Sequence, residues 1–200
     1  MSAPVDAAVQ RAVAASWRLA TRTFAVEVDP PFYTALLRLS AEAGLRDTGL
    51  DLVDDRLRAL PQERALEDLA VEYVRLFVGP RPLVPPYASA RSGRALGVGA
   101  RQALEGFLAA YRLRPALPAG APIVAVDHVA VVCGLLDRLH SAAAGDPEGA
   151  LDRAAAHAAI EELHRSALLS WVPELLTDVA AGARCGPYAP VARIVLPLLP

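Results

Sequence analysis

The chain has 200 residues, 54% hydrophobic and 21% charged, with a formal net charge of −2. That length carries one domain with a full core, and the composition excludes intrinsic disorder. The near-neutral balance, with no basic run, gives no electrostatic footprint for nucleic acid. All 20 basic residues are arginine, which reads as coding bias. The two cysteines form no C-x-x-C pair: Cys133 lies in an apolar run and reads as a core residue, and Cys185 sits in a loop. Nothing in them points to an oxidising compartment. The start, MSAPVDAAVQRAV, has no basic n-region and carries Asp6 and Gln10 where a secretory h-region would be. No apolar run reaches the ~18 residues of a membrane span, so a soluble, cytoplasmic protein is expected.

A helix is predicted over 3–27, with Val9, Val13, Trp17 and Phe24 on its apolar stripe. Asp29-Pro30 signals the start of a second, 30–43, ending near Gly44. Asp47 or Thr48 is expected to cap a short helix through Leu60, and Pro61 opens the next, 62–77. Gly79-Pro80 stops it, glycine suiting a left-handed exit. A loop with Pro80, Pro82, Pro85 and Pro86 follows, too stiff for a plain linker. Gly93, Gly97 and Gly99 read as a flexible stretch before a helix over roughly 98–112, and Arg114 to Pro122 as a second loop. Asp127 is the predicted N-cap of a helix over 128–144 that Gly145 ends. Asp146-Pro147-Glu148 opens a long helix, 147–170, Pro173 marks a kink or new start, and the pattern runs on to Gly182. A last short helix is expected over 190–196. No period-two alternation lasts a strand's length. The expected fold is all-α, a single domain of about eight or nine helices.

The stretch Leu66–Ser89 organises the chain. Leu66, Leu69, Tyr73, Leu76 and Phe77 recur at spacings of three and four and share one helical face. Glu72-Tyr73-Val74-Arg75-Leu76-Phe77, then Gly79-Pro80, then Pro85-Pro86-Tyr87-Ala88-Ser89, resembles the TorD/DmsD/NarJ family of cytoplasmic chaperones for molybdenum-containing oxidoreductases. The family's later Glu-Pro-x-Asp-His pattern is matched in part: Asp127-His128 is present, but its Glu and Pro are replaced within Ile123-Val124-Ala125-Val126. Trp171-Val172-Pro173 is similar to a late Trp-x-Pro, and the resemblance spans about Trp17 to Tyr188.

The residues themselves leave two readings open for each element of this pattern. Tyr73, Leu76 and Phe77 are either a core stripe or the lining of a peptide groove, with Tyr73 able to turn a polar tip outward. The proline loop is either a rigid connection or a preset binding surface. Asp127 is either an N-cap alone, worth roughly 1 kcal/mol, or a partner for arginine. The resemblance implies the binding readings. It places leader-peptide contacts on Pro86, Tyr87 and Ser89, and on Asp127 and His128, with Leu76 and Phe77 shaping the site and Glu72 as a second carboxylate. It also implies a partner, the catalytic subunit of a molybdoenzyme, bound at its N-terminal leader, either a twin-arginine leader or a non-exported N-terminus of the kind NarJ-like members recognise. It implies a monomer or helix-swapped dimer, no resident cofactor beyond transient contact with the molybdenum cofactor, and no catalysis.

Two alternatives come from other residues. His157, Glu161 and His164 fall at i, i+4 and i+7 and could ligate Zn²⁺. The outer two lie ~10.5 Å apart along the axis, which strains a single-metal site and favours a solvated face. His128 and His140 extend that metal-binding reading. The other alternative is a subunit retained in a redox complex. No G-x-S-x-G, H-E-x-x-H or lysine-bearing phosphate loop occurs.

Overall fold

The computed structural model describes residues 7–91, 93–114, 117–123, 125–146 and 151–200, with backbone alone at 93–98 and 167. Among them are ten α-helices and no strand. Helix α1 (Ala7–Ala25) buries Ala14, Trp17, Ala20 and Phe24, the predicted stripe less its first turn. Helix α2 (Pro30–Glu42) starts as expected, Asp29 Oδ1 accepting the Phe32 N–H at 2.8 Å. The short helix before Pro61 is smaller than predicted. A 3₁₀ turn fills Leu45–Thr48, and α3 (Asp55–Arg58) is capped by Asp54, whose carboxylate accepts from Leu57 N–H. Asp54 succeeds where Asp47 and Thr48 do not because its backbone is extended and its oxygen meets the third N–H on.

Helix α4 (Gln62–Tyr73) continues as a π turn over Val74–Val78. Gly79 N–H reaches Val74 O at 2.8 Å, five residues back. Gly79 therefore leaves with φ −54°, not left-handed as expected; a Cβ there would lie 3.3 Å from Val74 O, so close approach is what favours glycine. A single turn, α5 (Ala88–Arg91), precedes α6 (Gly93–Ala110), which begins five residues earlier than the glycines suggested. Glycine costs ~1 kcal/mol in a helix interior, and its neighbours carry the pattern through it.

Helix α7 (Val129–Ala144) is the axis of the molecule. It packs against α1 and α8 (Arg153–Arg165), and all but two of its 16 residues are buried. Gly145, at φ +88°, closes it as predicted. Its cap is His128, not Asp127 (below). The expected restart at Pro147 and Glu148 lies outside the described residues; α8 is capped by Asp152 and ends at Arg165, short of the predicted 170. Helix α9 (Val172–Gly182) is a new start with Pro173 in its first turn. Helix α10 (Tyr188–Val195) begins two residues early and packs on α1 and α9. Cys133 is buried, as expected, and both cysteines are free. Among the described residues no helix is long and apolar enough to cross a membrane.

Candidate functional site

The face of α4 and the π turn that carries Leu69, Tyr73, Leu76 and Phe77 points into the core. Phe77 stacks edge-on against Phe24 of α1 at 5.9 Å, Tyr73 at 5.4 Å and Tyr188 of α10 at 5.8 Å. The tip of Tyr73 turns inward, not outward. It is 4% exposed, its hydroxyl donates to Phe24 O at 3.4 Å, and burial raises its pKa to about 12. Tyr188 closes the cluster from the far side, donating to Leu69 O at 3.2 Å. Gly186 lets the chain approach, since its φ of +75° disfavours a side chain and a Cβ would strike Leu69.

Glu72 lies outside the apolar stripe of Leu66, Leu69, Tyr73, Leu76 and Phe77, yet it is 4% exposed. Arg75 grips it with two bonds of 2.8 and 2.7 Å, and Arg184 N–H donates a third at 2.6 Å. Arg75 also donates to Gly182 O at 2.6 Å, so the pair fastens the end of α4 to the end of α9. Burial alone would raise the Glu72 pKa, but these donors outweigh it and hold it below its ordinary value.

The proline loop folds back on the π turn, Leu83 N–H reaching Arg75 O and Val84 N–H reaching Leu76 O. It then clasps the other sequence motif. Val129 N–H donates to Pro86 O at 2.8 Å, Ala88 N–H to Asp127 O at 3.0 Å, and Tyr87 pairs with His128 in an antiparallel bridge. The two rings meet edge-on at 4.7 Å. Asp127 caps the neighbouring helix and not its own: Oδ2 accepts the Ser89 N–H at 3.0 Å, in the first turn of α5. His128 takes the cap of α7, its Nδ1 accepting from Ala130 N–H at 3.1 Å, which leaves the proton on Nε2. Burial lowers its pKa to about 4 against the pull of Asp127, so the imidazole is neutral near pH 7.

The structure thus joins Pro86, Tyr87, Ser89, Asp127 and His128 in one junction. Tyr87 is half-buried and Ser89 exposed, while Pro86, Asp127 and His128 are buried behind them. Glu72, Tyr73, Leu76 and Phe77 form a separate, buried group. A family model described as "Nitrate reductase delta subunit" matches residues 41–177, which include both groups.

The chain belongs to this family.

The nitrate reductase delta family is a family of assembly chaperones for molybdoenzymes. No curated protein and no solved structure matches the chain. Phe24 and Tyr188, which complete the aromatic cluster, lie outside the matched stretch.

On α8, His157 and His164 are partly buried and Glu161 is exposed. Among the described residues no group of three or more His, Cys, Asp or Glu comes together to hold a metal ion. Instead His157 and His164 act on His140 of α7. Burial first, and then these two imidazoles, lower its pKa to about 4, and its Nδ1 meets Gln10 Oε1 at 2.6 Å. Spacing within one helix could not reveal that neighbourhood. It also missed a second apolar stripe, Val71, Val74 and Val78, on the solvent side of α4 and the π turn. Its own spacing of three and four was the available signal.

Proposed function

We propose that this nitrate reductase delta family chaperone acts in the cytoplasm. It holds the N-terminal leader of a molybdoenzyme catalytic subunit until the molybdenum cofactor is in place, and it works by reversible binding without catalysis. The observation that carries the site is the clasp between loop 86–89 and residues 127–129. It fixes a half-buried aromatic, Tyr87, and an exposed hydroxyl, Ser89, on backbone that needs no further ordering. Asp127 and His128 hold them from behind. Buried itself, Asp127 contributes through Ser89, whose N–H its Oδ2 holds in place. Glu72, Tyr73, Leu76 and Phe77 support this surface through packing. The chaperone's own part toward the molybdenum cofactor is to keep the partner open for its insertion.

Calorimetric titration with a twin-arginine leader peptide tests the reading. Expected is a Kd near micromolar, about −8 kcal/mol, weakened about tenfold by Tyr87→Ala and by Asp127→Ala. Absence of heat with leader peptides, in a folded protein, would overturn it.

A further inference from the structure

Seven large apolar side chains are exposed among the described residues, and three of them, Val9, Leu39 and Leu117, belong to separate elements. The other four sit together. Val71, Val74 and Val78 are 70%, 41% and 57% exposed and follow one line along α4 and the π turn. Leu83, 54% exposed, is held beside them by its N–H bond to Arg75 O. It lies against Gly182, where a Cβ would come within 2.8 Å of its side chain. Below Val71 opens a hollow of ≈ 320 Å³ lined also by Arg56, Asp68, Glu72, Arg184 and Cys185. A contiguous apolar strip with a polar rim marks a surface that something covers.

The rim says what covers it. The acids beside the strip are already held: Asp68 by Arg56 at 2.6 Å, Glu67 by Arg64, and Glu72 by Arg75. Arg81, between Val78 and Leu83 in the chain, and Arg184, in the hollow, are in none of these three pairs, and Arg184 adds its charge to the pull that lowers the Glu72 pKa. The three acids Glu67, Asp68 and Glu72 thus face five arginines, Arg56, Arg64, Arg75, Arg81 and Arg184, and this excess of guanidinium charge, able to take carboxylates bidentately, flanks the apolar strip. That charge repels a basic leader and disfavours a second copy, which would bring its own arginines to the same rim.

We propose that the strip Val71–Val74–Val78–Leu83 is a second docking surface, for an apolar segment of the partner enzyme flanked by aspartate or glutamate. The identity of that partner rests on the function proposed above; the strip and its charge do not.

Fluorescence anisotropy with three synthetic helical peptides of roughly four turns provides the test. One carries a Leu/Val stripe flanked by Glu, one the same stripe flanked by Lys, and one the Glu flanks with the stripe replaced by Ser. The Glu-flanked apolar peptide is expected to bind about tenfold tighter than either other. Val74→Ser with Val78→Ser should remove that binding at unchanged melting temperature, and Arg81→Glu with Arg184→Glu should reverse the Glu-over-Lys preference. Equal binding of the Glu and Lys peptides, or binding indifferent to the valine changes, overturns the proposal. So does self-association in sedimentation that the valine changes abolish, which would assign the strip to a second copy. The valine variant should bind the leader peptide as the unaltered protein does; lost leader binding would merge the two surfaces and also overturn the proposal. Binding of the Glu-flanked peptide without any leader binding would leave the strip standing and refute the leader reading alone.

Discussion

Helix α7 and the α4–π segment are both rich in valine and leucine, and they use them differently. In α7 the apolar residues run all the way round and all are buried, packed between α1 and α8. In α4 and its π turn one apolar face is buried, and a second, carrying Val71, Val74 and Val78, faces solvent. The first helix is consumed by the fold. The second carries hydrophobicity that folding does not require, and it carries it beside the sequence pattern that marks the family. Surplus apolar surface, not apolar content, separates a helix that stabilises from one that also recognises.

The sharpest way to break this comparison is to cut both helices and weigh the damage. Leu136→Ala in α7 should cost about 2–5 kcal/mol, read from urea denaturation, with a melting point lowered by roughly 2–4 °C per kcal/mol. A loss below 1 kcal/mol would mean that α7 is not the structural axis.

Acid should attack α7 next. His128 and His140 have pKa values near 4 when folded and an ordinary value of 6.5. Because these folded values are depressed, stability is full above pH 6.5 and declines as pH falls toward 4, where the unfolded chain takes up protons that the folded one refuses. At pH 5 the loss is on the order of 2 kcal/mol per imidazole, and His140→Gln should flatten the profile. The lowered Glu72 adds a second decline that begins near its ordinary 4.5 and continues below it.

A smaller effect is expected where α4 meets α9. Glu72→Gln removes the anion that Arg75 and the Arg184 N–H share, at a cost of about 2 kcal/mol. A chemical-denaturation midpoint that does not move would show that the pair is dispensable. Smallest is the open face: Val71→Ser should change stability by less than about 0.5 kcal/mol. A loss comparable to that of Leu136→Ala would erase the contrast between the two helices.

Much of this was legible in the sequence where local chemistry decides. Asp29-Pro30 and Gly145 predicted boundaries because caps and left-handed exits act within a turn. The stripe from Leu69 to Phe77 was readable because burial follows period 3.6. The site was only partly legible. Asp127 was expected to cap its own helix, but the proline loop comes 38 residues across the sequence to offer Ser89 N–H, and His128 takes the vacated role. The burial of Glu72 was not legible because nothing nearby in sequence announces Arg184 or Gly182. The π turn had no signal at all, since it depends on where the loop after it returns.

That turn has an evolutionary consequence. A π turn holds one residue more than an α turn, so Val74–Val78 has the form of a single-residue insertion into an ordinary helix. Deleting Val78 would let the α-helical ladder close, and would swing the Gly79–Pro80 exit by about 100° around the axis. Leu83 and Val84 would then miss the carbonyls of Arg75 and Leu76 that receive them now, and the loop could no longer reach His128. The length of this one helix, counted to the residue, sets where the proline loop lands.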